Sequence, residues 1–175
     1  MNLTNILSAA FASAIWISSA SATTLGSVIA IGDEWTLSDV AFDGGSFSGD
    51  FFAGDRPNAE ALSANLASQL GGANYTIATV NAFAYGSDFE TYLTTSQGKS
   101  VNRVNTSAAL NAALATSDAV FLAGTIGTGS LAALNSFVAN GGSVVVSLGT
   151  GNQGTPGAEA AAWNPFLSGY GLQAS

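Results

Sequence analysis

The sequence is 175 residues long, 47% hydrophobic and only 8% charged, with 11 acidic residues against three basic ones and a formal net charge of −8. So apolar a chain forms a core rather than a disordered tail, and three scattered cations (Arg56, Lys99, Arg103) cannot supply the clustered positive charge that nucleic acid or an anionic membrane surface requires. It contains neither Cys nor His, which excludes disulfides, thiol nucleophiles, Ser-His-Asp and Cys-His triads, imidazole acid–base work and zinc sites of the usual ligand set.

The chain opens on a secretory-signal layout. An apolar run from Ile6 to Ile17 leads into small residues ending Ala20-Ser21-Ala22, with cleavage expected after Ala22. The leader has no Lys or Arg, and its Ser- and Ala-rich apolar run is short for a membrane span of ~20 residues. Export is therefore expected, to a secreted, periplasmic or cell-surface location, with no stable membrane insertion after cleavage. Residues 23–175 are expected to form one α/β domain, since roughly 150 residues can bury about two-thirds of their unfolded surface.

The first strand is the apolar run Val28-Ile29-Ala30-Ile31, which fits a strand covered on both faces and ends at Gly32. A long Gly- and Asp-rich loop follows. A helix then begins near Pro57, with Ala59, Leu62, Leu66 and Leu70 as its apolar stripe and Gly71-Gly72 as its stop. "NYTIATVNAF" is the second strand. "SDFETYL" starts a short helix with Ser87 and Glu90 in capping-box spacing. "KSVNRVN" is a brief strand, and "TSAALNAALATS" is a helix capped by Thr106 or Ser107 with Leu110, Ala113 and Leu114 inward. The buried run Ala119 to Ala123 is followed by a glycine turn and a helix on Leu131, Leu134, Phe137 and Val138. Asn140-Gly141-Gly142 ends that helix, "SVVVSLG" is a strand, and "GAEAAAWNPFLSGYGL" holds a short helix stopped before Pro165. Strands alternating with helices predict a mostly parallel sheet in a three-layer αβα arrangement.

The stretch "DAVFLAGTIGTGSLAALNSFVANGGSVVVSLGTG" resembles the segment of class I glutamine-amidotransferase-like (flavodoxin-like) domains in which a buried strand, a helix ending in "V..GG" and another strand follow in order. "DEWTLSDVAF" and "GAEAAAWNPFLSGYGL" are similar to a group of exported bacterial proteins with no assigned activity, many of which carry a PEP-CTERM-type sorting tail. That resemblance implies a flavodoxin-like, Rossmann-like fold and association with the cell surface or with exopolysaccharide. It also implies a fragment or a member shortened at its C-terminal end, because relatives continue with further strands beyond the position of Ser175; the sorting tail is absent as well. It does not imply amidotransferase chemistry: Gly149-Thr150-Gly151 stands where the nucleophilic Cys would be, and the partner His is missing.

Three groups of residues are candidates for a site. Gly124, Thr125, Gly127, Thr128 and Gly129 form a ligand-binding loop between a strand and a helix, where backbone amides suit an anion. The spacing is not that of a dinucleotide fold or a P-loop, and the competing reading is close packing with Thr128 or Ser130 as helix cap. Asp33 and Glu34 fall at the carboxyl end of the first strand, where open α/β sheets place their ligands, with Asp39, Asp43, Asp50 and Asp55 after them. Asp33, Glu34, Asp39 and Asp43 make a candidate Ca²⁺ site, and Asp33 with Glu34 a candidate catalytic acid–base pair; the competing reading is a solvated loop of Asp turns. Trp35, Phe51, Phe52, Tyr85, Tyr92, Trp163 and Tyr170 are candidates for a sugar-stacking platform, with Trp163 read as packing. No organic cofactor is expected. The expected role is a non-catalytic surface or matrix-associated module that binds glycan or Ca²⁺ through the loops after the first and fourth strands, with extracellular polysaccharide or cell-surface material as partner. The alternative is an extracellular hydrolase working through Asp33 and Glu34, and a third reading is a fragment without independent function.

Overall fold

A computed structural model describes residues 25–32, 35–43, 56–79, 84–149 and 154–175. Five strands, β1 (Val28–Ile31), β2 (Asn74–Ala78), β3 (Ser100–Val104), β4 (Ala119–Ala123) and β5 (Ser143–Ser147), pair in parallel in the order β1-β5-β4-β2-β3. Counted with β1 last, that order reads 2-1-3-4-5, the doubly wound order of flavodoxin-like folds. Every residue of β4 and β5 is buried, because helices cover both faces of the sheet there.

The two faces have separate cores. On one, α1 (Asp39–Asp43), α2 (Arg56–Leu70) and α3 (Ser87–Thr95) pack Phe42, Leu66, Phe89 and Leu93 onto Tyr75, Ile77, Phe121 and Val145. On the other, α4 (Ser107–Ala113), α5 (Leu131–Ala139) and α6 (Pro156–Leu167) pack Leu110, Leu134, Trp163 and Phe166 onto Val120, Leu122, Val144 and Val146. The chain steps toward β3 through helices of the first face and back toward β1 through helices of the second. Crossovers of a single hand must alternate in this way when the direction reverses. Each large apolar side chain so buried contributes about 1.5–3 kcal/mol. The Arg56–Glu60 and Arg103–Glu90 ion pairs, at 2.8 and 2.9 Å and solvent-accessible, contribute about 0–1 kcal/mol each. Packing carries the fold.

Most expected elements are present, and three details differ. The long loop after β1 contains the helix α1, whose Ala41 and Phe42 are buried; the short helical repeat was hidden among Gly and Asp. The helix expected to stop before Pro165 runs through it to Leu167. Proline removes the bond to the carbonyl of Ala161, and both residues are exposed, so water can replace it. At α3 the Ser87–Glu90 capping box does not form. The cap is Gly86 without a side-chain bond, and Asp39 supplies the acceptor from α1: its Oδ1 takes the Asp88 amide at 2.8 Å and its Oδ2 takes the Ser87 hydroxyl at 3.2 Å. Thr106 caps α4 as expected, its side chain accepting from the Ala109 amide at 3.2 Å.

At the amino edge of the sheet, Asp118 Oδ2 accepts the amides of Ala73 and Asn74 at 2.7 and 2.8 Å. Those two bonds, with Lys99 nearby, hold its carboxyl below the usual carboxylate range. A depressed carboxylate stabilises the fold above its unfolded pKa of about 4 and loses that contribution as pH falls through its lowered folded value. Asp118→Asn should therefore cost about 1 kcal/mol at pH 7, the low end for a bond to a charged group because solvent reaches the carboxylate. Thermal unfolding should show a midpoint lower by about 3 °C at pH 7 and a difference that shrinks toward pH 3. A pH-independent difference would remove the carboxylate from this role.

Candidate functional site

Ligands of open α/β sheets sit at the carboxyl edge, between neighbouring strands whose connections leave to opposite faces. Here β2 and β4 meet that condition, and so do β1 and β5.

At the β2–β4 position the described side chains pack closely on the β4 side. Tyr85 is fully buried beneath it, with its ring against Phe89 and Phe121 at 5.7 and 5.5 Å and its hydroxyl 3.4 Å from the Leu122 carbonyl. Burial pushes that hydroxyl well above the usual tyrosine range despite hydrogen bonds with Ser147, so it acts as a neutral pin. On the other side lies the glycine turn. Gly124 takes a left-handed backbone, φ +69°, and its carbonyl accepts the Trp163 indole N–H at 3.2 Å. A single 3-10 turn, Gly127–Ser130, leads directly into α5. The Thr128 hydroxyl donates to the Thr125 carbonyl at 2.7 Å, and the Ser107 hydroxyl donates to the Ile126 carbonyl at 2.7 Å. At Gly127 any Cβ would run into the Trp163 ring, and at Gly129 it would come within 3.3 Å of Ser107 Oγ. Thr128 thus bonds within the turn, and Gly127 makes room for Trp163. Neither Thr128 nor Ser130 caps α5 through its side chain, and the Ser130 hydroxyl is buried without a hydrogen-bond partner.

Among the described residues the β1–β5 position is open. A crevice of about 320 Å³ lies there, lined by Ala30 and Gly32 from β1 and its end, Leu148 and Gly149 after β5, Ala160 of α6 and Gln173 of the C-terminal segment. Thr155 caps α6 by accepting the Ala158 amide at 3.2 Å, and Pro156 occupies the first turn. These place Glu159 facing inward. Its carboxylate is fully buried and accepts the Gly149 amide at 2.7 Å, which sets the backbone path out of β5, where Gly149 has φ +88°. Along α6, the Asn164 side chain brackets Ala174, donating to its carbonyl at 3.0 Å and accepting its amide at 2.9 Å. The crevice wall is therefore backbone and apolar side chains, with Gln173 and Ser175 as its polar side chains, and Glu159 anchors the Gly149 backbone behind it.

The sequence candidates divide as follows. Asp33, Glu34, Asp50, Asp55, Phe51 and Phe52 lie outside the described residues. Asp39 and Asp43 are on α1 beside Asp88, whose carboxyl is raised by burial and by the charges of Asp39 and Asp43. Asp39 is engaged in holding α3, and among the described residues no group of three or more His, Cys, Asp or Glu side chains is placed to hold a metal ion. Tyr85 and Trp163 are core residues; Tyr92 packs on Phe42 at 6.0 Å, and Tyr170 packs on Phe166 at 5.1 Å while donating to Asn135 at 2.9 Å. Glu159 and Gln173 were not among the candidates. The Thr155-Pro156 helix start would have placed Glu159 in the first turn, but its partner Gly149 is visible only once β5 and α6 are set side by side.

Gly127→Ala should destabilise the protein by about 1–3 kcal/mol through overpacking on Trp163, whereas Ser130→Ala, which removes an unpaired buried hydroxyl, should be neutral or slightly stabilising. Urea unfolding of the two variants decides it; a tolerated Gly127→Ala beside a damaging Ser130→Ala would return the turn to a ligand role. No protein-family model, curated protein or solved structure matches this chain, so its site is known by its own geometry alone.

Proposed function

We propose that this protein is an exported, surface- or matrix-associated binding module that takes a neutral, hydroxyl-rich ligand, the end or a short stretch of a glycan, in the β1–β5 crevice. The observation that carries this reading is the crevice itself, which the described residues leave open at the β1–β5 switch point. Its chemistry agrees. Backbone groups and the uncharged side chains of Gln173 and Ser175 offer hydrogen bonds, while the buried Glu159 carboxylate and a net charge of −8 disfavour anions. The leader ending at Ala22 supports export, and extracellular polysaccharide is the partner class this compartment offers.

A second reading rests on one further observation. Gly32 lines the crevice, and Asp33 and Glu34 follow it in the chain. Two carboxylates at a sugar site are the equipment of a glycoside hydrolase, or with Asp39 and Asp43 part of a Ca²⁺ site that steadies the ligand.

Titration of the purified protein with neutral oligosaccharides, in millimolar Ca²⁺ and in EDTA, tests both. At a hundredfold excess over Kd, a ligand bound only by the native state adds about 2.7 kcal/mol, a rise in midpoint of roughly 5–10 °C. Gly32→Leu should block the crevice without strain, since nothing lies within 4 Å of a Cβ there. It should weaken binding at least about tenfold and leave the midpoint of the free protein in place. New reducing ends that vanish in Asp33→Asn and Glu34→Gln would make the protein an enzyme, and an EDTA-sensitive rise would add the cation. No shift with any sugar in either buffer would refute the binding reading.

A further inference from the structure

The two edges of the sheet are built differently. The β3 edge is guarded: Asn102 and Arg103 are exposed, and Arg103 is fixed by bonds to the Tyr85 carbonyl at 3.0 Å, the Gly86 carbonyl at 3.1 Å and Glu90 at 2.9 Å. A charge so placed opposes pairing with another strand. The β1 edge has no such guard. Residues 25–32, Leu-Gly-Ser-Val-Ile-Ala-Ile-Gly, carry no charge; Ala30 is exposed, Val28, Ile29 and Ile31 are half-buried, and Leu25 is 74% exposed.

The hydrogen bonds to β5 show which backbone groups remain. The Val144 amide donates to the Ser27 carbonyl at 2.8 Å and the Leu148 amide to the Ile31 carbonyl at 2.9 Å, in the register Val28 with Val144. In a parallel ladder, alternate residues face the neighbour, so Ser27, Ile29 and Ile31 serve β5 and the N–H and C=O of Val28 and Ala30 point outward. No described strand pairs with them.

We propose that β1 is a self-association edge, and that its occupant is β1 of a second copy of this chain, antiparallel about a two-fold axis through Ile29. β1 itself brings no charge to the edge, since the charged residues of both copies lie outside residues 25–32. Geometry selects the occupant. A two-fold axis at Ile29 sets Val28 opposite Ala30 of the second copy and Ala30 opposite its Val28, so each outward N–H meets a C=O. It also sets the two Ile29 side chains in the close, non-hydrogen-bonded pair. The result is a ten-stranded sheet whose outer edges are the two guarded β3 strands, so assembly stops at the dimer. The crevice beside Ala30 would then occur twice, next to the dimer axis.

Sedimentation of the wild-type protein over a range of concentrations should show a monomer–dimer equilibrium. Ala30→Pro removes an outward N–H that β5 does not use, once in each copy, and should raise the dimer dissociation constant at least about tenfold. Ala30→Lys should do the same by placing charge on the edge, and Asn102→Lys on β3 should leave association unchanged. In the wild type, amide exchange at Val28 and Ala30 should slow as concentration rises, a reading that needs no variant to fold. A monomer at every attainable concentration overturns the proposal, as does a dimer indifferent to both Ala30 variants. Protection of Val28 and Ala30 in the monomer also overturns it, because the edge would then be covered from within the chain or by another partner.

Discussion

Burial of β4 and β5 on both faces is the constraint from which the rest of the structure follows. Neither strand carries a charged residue, and their inward positions on the two sides belong to different cores. Strands of this kind are stable only when something apolar lies on each face, and a parallel sheet supplies it by sending its crossover helices to both sides. The helices in turn must pack closely, which sets the small residues. Gly127 exists to admit Trp163, and Gly142 to admit the Phe137 ring. In the glycine turn the indole thus sets Gly127, while Gly124 is set by its left-handed backbone and Gly129 by its approach to Ser107.

With no cysteine and three cations, the chain ties its loops to the sheet by another device. Carboxylates accept backbone amides distant in sequence. Asp39 takes the amide of Asp88, Asp118 those of Ala73 and Asn74, and Glu159 that of Gly149. Such bonds are stronger than neutral ones and need no counter-cation. Among the described residues three acidic side chains are used in this way, so an acidic sequence is not by itself a metal-binding one. Asp39 illustrates the difference. As a candidate cation ligand it belonged with its neighbours in the chain, whereas in the fold its nearest hydrogen-bond partners are residues of α3.

What could be read from residues alone was whatever depends on local pattern. The runs Val28 to Ile31, Ala119 to Ala123 and Ser143 to Ser147 are apolar without alternation, and all three are strands of a parallel sheet. The Ala59-Leu66-Leu70 stripe and the Thr106 cap needed no tertiary knowledge. What could not be read depends on which elements become neighbours. The missing capping bond of α3 is supplied from 49 residues upstream by Asp39. Pro165 is tolerated because the face it disrupts looks outward, a property of how α6 lies on the sheet. Strand order is the largest such unknown. Nothing in "SVIAI" says that the first strand takes the outermost place beside β5 instead of a central one.

That placement explains the open crevice and the open edge together. A central β1 would have had neighbours on both sides. Among the described strands it has one neighbour, β5, whose connection leaves to the face opposite its own, and the crevice lies between the two. The same position exposes the outward row of backbone groups on Val28 and Ala30. Ala30 belongs to both features, since its main chain faces outward from the sheet and the residue lines the crevice. Pairing at the edge therefore bears directly on the crevice wall. A module that associates through β1 would couple its assembly to its ligand, because whatever straightens or shifts β1 moves Ala30 and Gly32 with it.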